Sequence, residues 1–368
     1  MKKDLKAKTE YRRFTAEGYI NSTVIANAFF EKDAEKYTNI RKFCEVPVSY
    51  SRFSNSKNGG NKNGHRLIVS FCLAEAMSHT DCAVLDAATA FYRSGKTEFT
   101  VRDIVEYLYG EYDNPEYKIT REKMAKIRGV LEKLSKNTLW AIITGEYVMR
   151  MTSPKYTKTE KLDMRAAVEQ MKCFSADLSN TGKTDSSGEP IIGKDTEIRI
   201  KGELLPIRAQ NDKPNRKFSF EAPPLLYEYA NALKGWQYSF PQEWLLNDGR
   251  MKNTENAALT RYYLIRRIVL MKRRGKSNEI LINDIINFLD WREKKQSDTK
   301  TNTDELNRRR RLAMEYASAI LEYFKETGCI EDVELIAGKN NKPEALRIVT
   351  KKDVKSEKEN NGSEKRNN

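Results

Sequence analysis

The stretch "DELNRRRRLAMEYASAILEYFKETG", Asp304 to Gly328, decides how the C-terminal part of this chain folds. Wound at 100° per residue, Ala313, Tyr316, Ala317, Ile320 and Phe324 fall on one face of a helix, and Arg308, Arg311, Glu315 and Ser318 point the other way. The first face requires a core. The second opens with four consecutive arginines and requires something acidic.

The neighbours of this helix tell what kind of domain holds it. Before it stand a long helix from Asn253 through Arg274, an extended "EILI" and a helix "NDIINFLDW"; after it, "CIEDVELIA" and "EALRIVT" flank the turn "GKNNKP". Helix, short strand, helix, helix, hairpin is the order of a winged-helix domain. In that order the third helix enters the major groove of DNA and the hairpin tip reaches an adjacent groove or the phosphates.

Arg308, Arg309, Arg310 and Arg311 are therefore candidate DNA contacts. Arg308 and Arg311 lie one turn apart on the outward face, where guanidinium groups can bind phosphates or fork onto guanine edges. Arg309 lies nearer the core side and Arg310 at its edge. Glu315, one turn beyond Arg311, can orient that guanidinium or accept from a cytosine amine. Lys339, Asn340, Asn341 and Lys342 form the tip of the wing, small and polar enough to approach DNA. The basic end of the preceding helix, Lys272 to Arg274, suits a helix C-terminus or a phosphate equally.

The same order occurs earlier in the chain. An apolar-periodic helix from His79 (Cys82, Leu85, Ala88, Phe91, Tyr92) precedes an extended Glu98-Phe99, a helix opened by Thr100 with Asp103 as its capping box, a helix after Thr120, and a β-rich run "TLWAIIT". On the helix after Thr120, Met124, Ile127, Leu131 and Leu134 face inward and Ala125, Lys126, Gly129 and Lys133 outward; Arg121 and Lys126 are its candidate DNA contacts. Ser78 to Gly145 carries ten Lys+Arg and ten Asp+Glu, whereas Lys234 to Thr350 carries 22 and 17, a balance of +5. The second repeat is the one built chiefly for phosphate. The neutral first repeat, with small outward residues, favours contact with another subunit over DNA.

Composition limits the partner. The 368 residues hold 66 Lys+Arg against 52 Asp+Glu, a formal charge of +14, so the long-range field attracts polyanions. No run of apolar residues is long enough for a membrane span and "MKKDLKAKTEYRR" is polar throughout, so the expectation is a soluble cytoplasmic protein. Cys44, Cys72, Cys82, Cys173 and Cys329, an odd number with no CxxC pair, read as reduced thiols rather than a disulfide framework or a zinc site.

Catalytic signatures are missing, and the expectation is a non-enzyme without metal or cofactor. His65 and His79 are too far apart for the clustered imidazoles of a rolling-circle nuclease. Gly95-Lys96-Thr97 and Gly182-Lys183-Thr184 invite a phosphate-loop reading, but the glycine required five residues earlier is replaced by Ala90 and Asp177. Glu331-Asp332 opens a strand, where neighbouring side chains point to opposite faces and cannot share acid/base work.

Composition shifts mark the boundaries. A basic arm and the linker "SNSKNGGNKNG" occupy 1–65, so folded structure is expected to begin after Gly64. An N-terminal winged-helix domain with a long β-rich insertion follows over 66–224, the polar stretch Ser179 to Pro190 lying inside it, and a C-terminal winged-helix domain over 225–350. The charged tail 351–368 reads as disordered. The expected fold class is α+β, mostly helical, with two tandem winged-helix domains.

This tandem layout, with "MSHTDCAVLDAATAFYRSGKTEFTVRDIVEYLYG", "GELLPI", "PPLLYEYA" and "YYLIRRIVLMKRRGKSNEILINDII", resembles plasmid replication initiators of the tandem winged-helix type, over most of Arg66 to Thr350. The resemblance is one of layout and short apolar-basic phrases; the long segment from Glu146 to Pro224 departs from it. It implies sequence-specific binding of double-stranded DNA at repeated origin sites, with the C-terminal domain as principal reader. It also implies a homodimer formed through the N-terminal winged helix, and host replication proteins as partners. A transcriptional repressor occupying an operator with the same modules is the alternative, because both functions need the same groove contacts.

Overall fold

Two helices of the chain open with the same reciprocal cap. Ser78 Oγ accepts from the Asp81 N–H at 3.1 Å while the Asp81 carboxylate takes the Ser78 N–H at 2.7 Å. Thr100 and Asp103 repeat the arrangement, at 3.2 Å and 2.8 Å. Such boxes satisfy amide groups that a helix start otherwise leaves orphaned, and they define where each helix begins.

The computed structural model describes residues 16–22, 26, 42–43, 46–47, 50–53, 67–73, 75, 77–112, 114, 116–144, 186, 197–232, 237–271, 277–289, 303–338 and 343–350. The N-terminal arm, the linker Ser54 to Gly64, most of Ser179 to Pro190, Lys272 to Arg274 and the tail lie outside the described residues. The structure is mixed helix and sheet, and among the described residues no helix is long and apolar enough to cross a membrane.

Contacts divide the chain into two units, Met1–Gln242 and Glu243–Asn368. In chain order the first holds β1 (Gly18–Asn21), β2 (Lys42–Phe43), β3 (Val46–Pro47), β4 (Tyr50–Phe53), β5 (Leu67–Leu73), α1 (His79–Arg93), β6 (Glu98–Thr100), α2 (Val101–Tyr109), α3 (Arg121–Lys136), β7 (Thr138–Thr144), β8 (Glu197–Glu203), β9 (Ile207–Ala209), β10 (Lys217–Phe220), α4 (Leu225–Ala232) and β11 (Gln237–Phe240). The second holds α5 (Glu255–Met271), β12 (Glu279–Leu281), α6 (Ile282–Phe288), α7 (Thr303–Glu326), β13 (Asp332–Ala337) and β14 (Pro343–Val349).

The second unit runs helix, strand, helix, helix, strand, strand. Its sheet is antiparallel with spatial order β12-β14-β13, so the first strand lies against the last. Ala313, Ala317, Leu321 and Phe324 of α7 are fully buried, together with Leu264, Ile265 and Ile268 of α5 and Ile280, Ile282 and Ile285 of the following strand and helix. The apolar spacing read from the sequence is thus the inner face of α7. Arg261 is also buried, at 2% exposure; its guanidinium donates to the Leu245 carbonyl at 3.1 Å and Asn247 Oδ1 at 3.4 Å, which offsets the cost of enclosing a charge.

The first unit contains the same six-element path in interrupted form. Helix α1, strand β6, and helices α2 and α3 follow one another, and the sheet that closes on them has the order β6-β10-β9. Its core is aromatic: Phe99 stacks on Phe218 with centroids 5.8 Å apart and meets Phe91 edge-on at 6.0 Å. The hairpin of this module is β9–β10, not "TLWAIIT". That run is β7, a strand as expected, but it pairs with β5 and β8 in a separate sheet of order β4-β5-β7-β8. Its apolar, β-prone run specifies a strand and leaves the partner open, and a seven-residue register with β8 fills it.

Two further differences concern the ends of this unit. Strand β1 lies well before Gly64 and is buried throughout, pairing antiparallel with β11 over Gly18↔Phe240 to Asn21↔Gln237. Asn21 Nδ2 donates to the Leu226 carbonyl at 2.7 Å. Helix α4 and β11 consequently belong to the first unit, and the division falls after Gln242, beyond the Pro224 boundary drawn from composition. Four residues carry no periodicity of their own; the distant partner strand makes them part of a core.

Candidate nucleic-acid interface

On α7, Arg308, Arg311, Glu315 and Ser318 are exposed, while Arg309 and Arg310 are half-buried. The four arginines are thus graded, in the order expected from the wheel. The Nε of Arg310 is enclosed with no hydrogen-bond partner among the described residues. Arg311 and Glu315 form no ion pair with one another, and neither has a partner among the described residues. Glu315 therefore does not hold the Arg311 guanidinium in place, and both groups face solvent.

Further along α7 the outward charges are neutralised within the unit. Arg250 binds Asp248 at 2.7 Å, reaches Glu322 at 3.6 Å and pairs with Glu326. Its guanidinium is held above its ordinary range chiefly by the hydrogen bond to Glu326. Tyr323 Oη donates to the Glu243 carbonyl at 2.8 Å, tying the same end of the helix down. The C-terminal half of α7 is anchored by its acids, and the N-terminal half presents Arg308 and Arg311 outward. Lys339, Asn340, Asn341 and Lys342, the expected tip of the β13–β14 hairpin, lie outside the described residues.

In the first module, Arg121 and Lys126 of α3 are exposed, as is Gly129, where an added Cβ would meet only open space. Lys133 is engaged instead: its ammonium donates to the Asp81 carboxylate at 2.7 Å, the same carboxylate that caps α1. Glu132 accepts from Arg216 at 2.6 Å, and Arg216 also holds Asp212 at 2.9 Å, so the hairpin is clipped to α3. The Arg102 N–H donates to Asn215 Oδ1 at 2.9 Å, clipping the hairpin to α2 as well.

The β9–β10 hairpin adds residues that sequence reasoning missed. Lys213, Pro214 and Asn215 are exposed at its tip and Arg208 at its flank, the last 77% exposed with only a long 3.8 Å contact to Glu221. The signal was available: "IRAQNDKPNRKFSF" is two short β-prone runs around a turn-rich centre. The longer β-prone run "TLWAIIT" competes with it for the hairpin position.

The Gly95-Lys96-Thr97 triplet is a turn after α1. Gly95 adopts φ of 82°, and the Lys96 ammonium lies over the Phe91 ring at 4.8 Å, with its pKa lowered by burial. It lines an open cleft of about 410 Å³ with Tyr92, Thr97, Phe220 and Glu221. The second triplet, Gly182 to Thr184, lies outside the described residues. Among the described residues no three His, Cys, Asp or Glu side chains cluster as metal ligands.

No protein-family model matches the chain, and no curated protein matches it. Among solved structures the chain is similar to the crystal structure of RctB domains 2-3, with 12% sequence identity, coverage of 82% of this chain and 91% of that one, and a TM-score of 0.39. It is also similar to the crystal structure of selenomethionine derivatives of domain 2 and domain 3 of RctB, at 12% identity, 83% and 91% coverage, and a TM-score of 0.35.

Proposed function

We propose that this chain binds double-stranded DNA sequence-specifically through two tandem winged-helix modules, and that it occupies repeated origin sites to initiate replication of a plasmid or mobile element. One observation carries the reading: the third helix of the second module sets Arg308 and Arg311 outward, opposite a fully buried stripe, in its N-terminal half. Guanidinium groups so placed suit phosphate oxygens or guanine edges, and the chain's +14 charge draws a polyanion toward them. The sheet order β12-β14-β13 supports the winged-helix assignment, because it leaves β13 and β14 as a hairpin beside that helix.

In this reading α7 is the principal reader, with Arg309, Arg310 and Glu315 beside the two outward arginines and the 339–342 tip as its wing. The first module contributes Arg121, Lys126 and its own hairpin tip to secondary duplex contacts, or pairs two subunits. Host replication proteins complete the assembly. No catalytic step, metal or cofactor is required of this chain; occupancy of the site is its chemistry.

The test is footprinting of the full chain on DNA flanking its own gene, in rising salt. Protection of repeated sites that is lost in Arg308→Ala and Arg311→Ala supports the reading. Protection unchanged in both variants, or dependent on one added metal, overturns it. A plasmid carrying those sites and the gene then separates initiator from repressor: maintenance that fails without the protein is expected, and unaffected maintenance with altered transcription favours the repressor.

A further inference from the structure

The outer edge of β13 differs in chemistry from the arginine face of the same unit. β13 pairs only with β14, so one side of its backbone has no strand partner among the described residues. Leu335, at mid-strand, is 56% exposed. Its register partners across the sheet, Leu346 and Ile280, are buried at 3% and 0%. Leu335 thus occupies the covered face of the sheet but overhangs its edge, where a further strand would continue the cover. Ile336, half-exposed, points to the opposite face.

The border of this edge is acidic. Glu331, Asp332 and Glu334 are exposed along it. Glu334 shares Arg347 with Glu279, at 3.3 Å and 2.9 Å, and Asp332 holds Lys325 at 2.7 Å, while Glu331 has no side-chain partner among the described residues. In a chain of net charge +14 an acidic edge is turned against the general field and cannot favour phosphate. Two copies of it placed edge to edge would oppose acid to acid.

We propose that β13 is a docking edge for a partner protein's extended segment, which adds as a fourth strand and carries basic side chains alternating with apolar ones. Its backbone pairs with the free side of β13, its apolar residues cover Leu335 on one face, and its cations lie on the other face beside Asp332 and Glu334.

The experiment uses the full chain and a labelled hexapeptide of alternating Lys and Val, with a Glu/Val hexapeptide as control. Binding is read by fluorescence anisotropy, and amide exchange is followed along β13. The expected result is binding of the basic peptide only, with slowed exchange at β13. Leu335→Ser and Glu334→Lys should each weaken binding about three- to tenfold, from lost apolar cover and reversed charge respectively. Should Leu335→Ser fail to fold, Glu334→Lys decides alone. Equal binding of the acidic peptide, binding without protection of β13, or binding unchanged in both variants overturns the proposal. So does a dimer of the full chain that Leu335→Ser abolishes, since a second copy then occupies the edge. Duplex binding by the same variants is read separately: its loss would place the edge in the DNA interface and also overturn the proposal, whereas failure of the peptide alone leaves the DNA reading standing.

Discussion

The two modules follow one path through space and differ in what interrupts it. In the second, α7 leads directly to β13 and β14; in the first, α3 and the hairpin are separated by β7, β8 and everything between them, yet the sheet closes in the same order. A sheet that must pair its first strand with its last tolerates a long excursion before that last strand, because extra loop length adds cost only slowly. Both modules also make an ion pair from the first residue of the first strand to the last strand, in different registers: Glu279 meets Arg347 directly opposite, whereas Glu98 reaches diagonally to Lys217, the register partner of Thr100. Their third helices are used differently. α3 spends Glu132 and Lys133 on internal contacts to the hairpin and to α1, whereas α7 keeps Arg308 and Arg311 exposed.

The strongest way to break this comparison is to remove the core beneath one module. Phe324 is fully buried, with the Trp244 ring 6.2 Å away. Phe324→Ala should destabilise the second unit by about 3–5 kcal/mol. Denaturant unfolding followed at Trp244, beside exchange of the α1 amides, checks it. Loss of protection in α1 to the same extent would mean that the two units unfold as one.

The arginines sharpen the comparison on the functional side. Arg308→Ala and Arg311→Ala should each cost about 1–3 kcal/mol in discrimination if the contact is to a base, or reduce the salt slope by about one if it is to a phosphate. Arg309→Ala should cost less, and Arg121→Ala and Lys126→Ala less again. Salt-titrated binding to specific and scrambled duplexes measures this. Equal losses on α3 and α7 would erase the distinction between the modules.

Lys133 offers the converse case, a cation on a third helix that is structural. Lys133→Ala leaves the largely buried Asp81 carboxylate without its ammonium and should cost about 1–2 kcal/mol of stability with no change in duplex affinity. A thermal melt and a binding titration on the same sample decide it; a stable variant with weakened DNA binding would move Lys133 into the interface.

The smallest expected effect depends on pH. Glu98 has its carboxyl held below the ordinary range, first by the hydrogen bond from Lys217 and then by that from Gln210. A depressed carboxylate contributes stability above the unfolded pKa and loses it as pH falls through the folded value. Glu98→Gln should therefore lower the melting temperature slightly at neutral pH, and the gap to wild type should close in acid. A gap that persists unchanged in acid would assign the effect to packing rather than charge.

Much of the second module was legible because its determinants are local. The 3.6-residue stripe of α7 declares which arginines face out, and "CIEDVELIA" and "EALRIVT" meet across a short turn. The first module was legible as far as α3, where the Thr100-Asp103 box and the Thr120 cap mark the helix starts. Beyond α3 the run Thr138 to Thr144 declares a strand, but nothing within seven residues names the strand that will lie beside it.

The sequence by itself determined α1, α2, α3, α5, α6 and α7, the capped starts of α2 and α3, the apolar faces of α3 and α7, and the basic balance of the second module, because each depends on spacing or charge within a few turns of chain. Only the tertiary structure decided that β10 rather than β7 closes on β6, that Gly18–Asn21 is core, and that Lys133 answers Asp81 instead of solvent. Those outcomes rest on partners scores of residues away. Strand pairing selects its partner by register and by the surface it covers, and neither quantity is written in the strand alone.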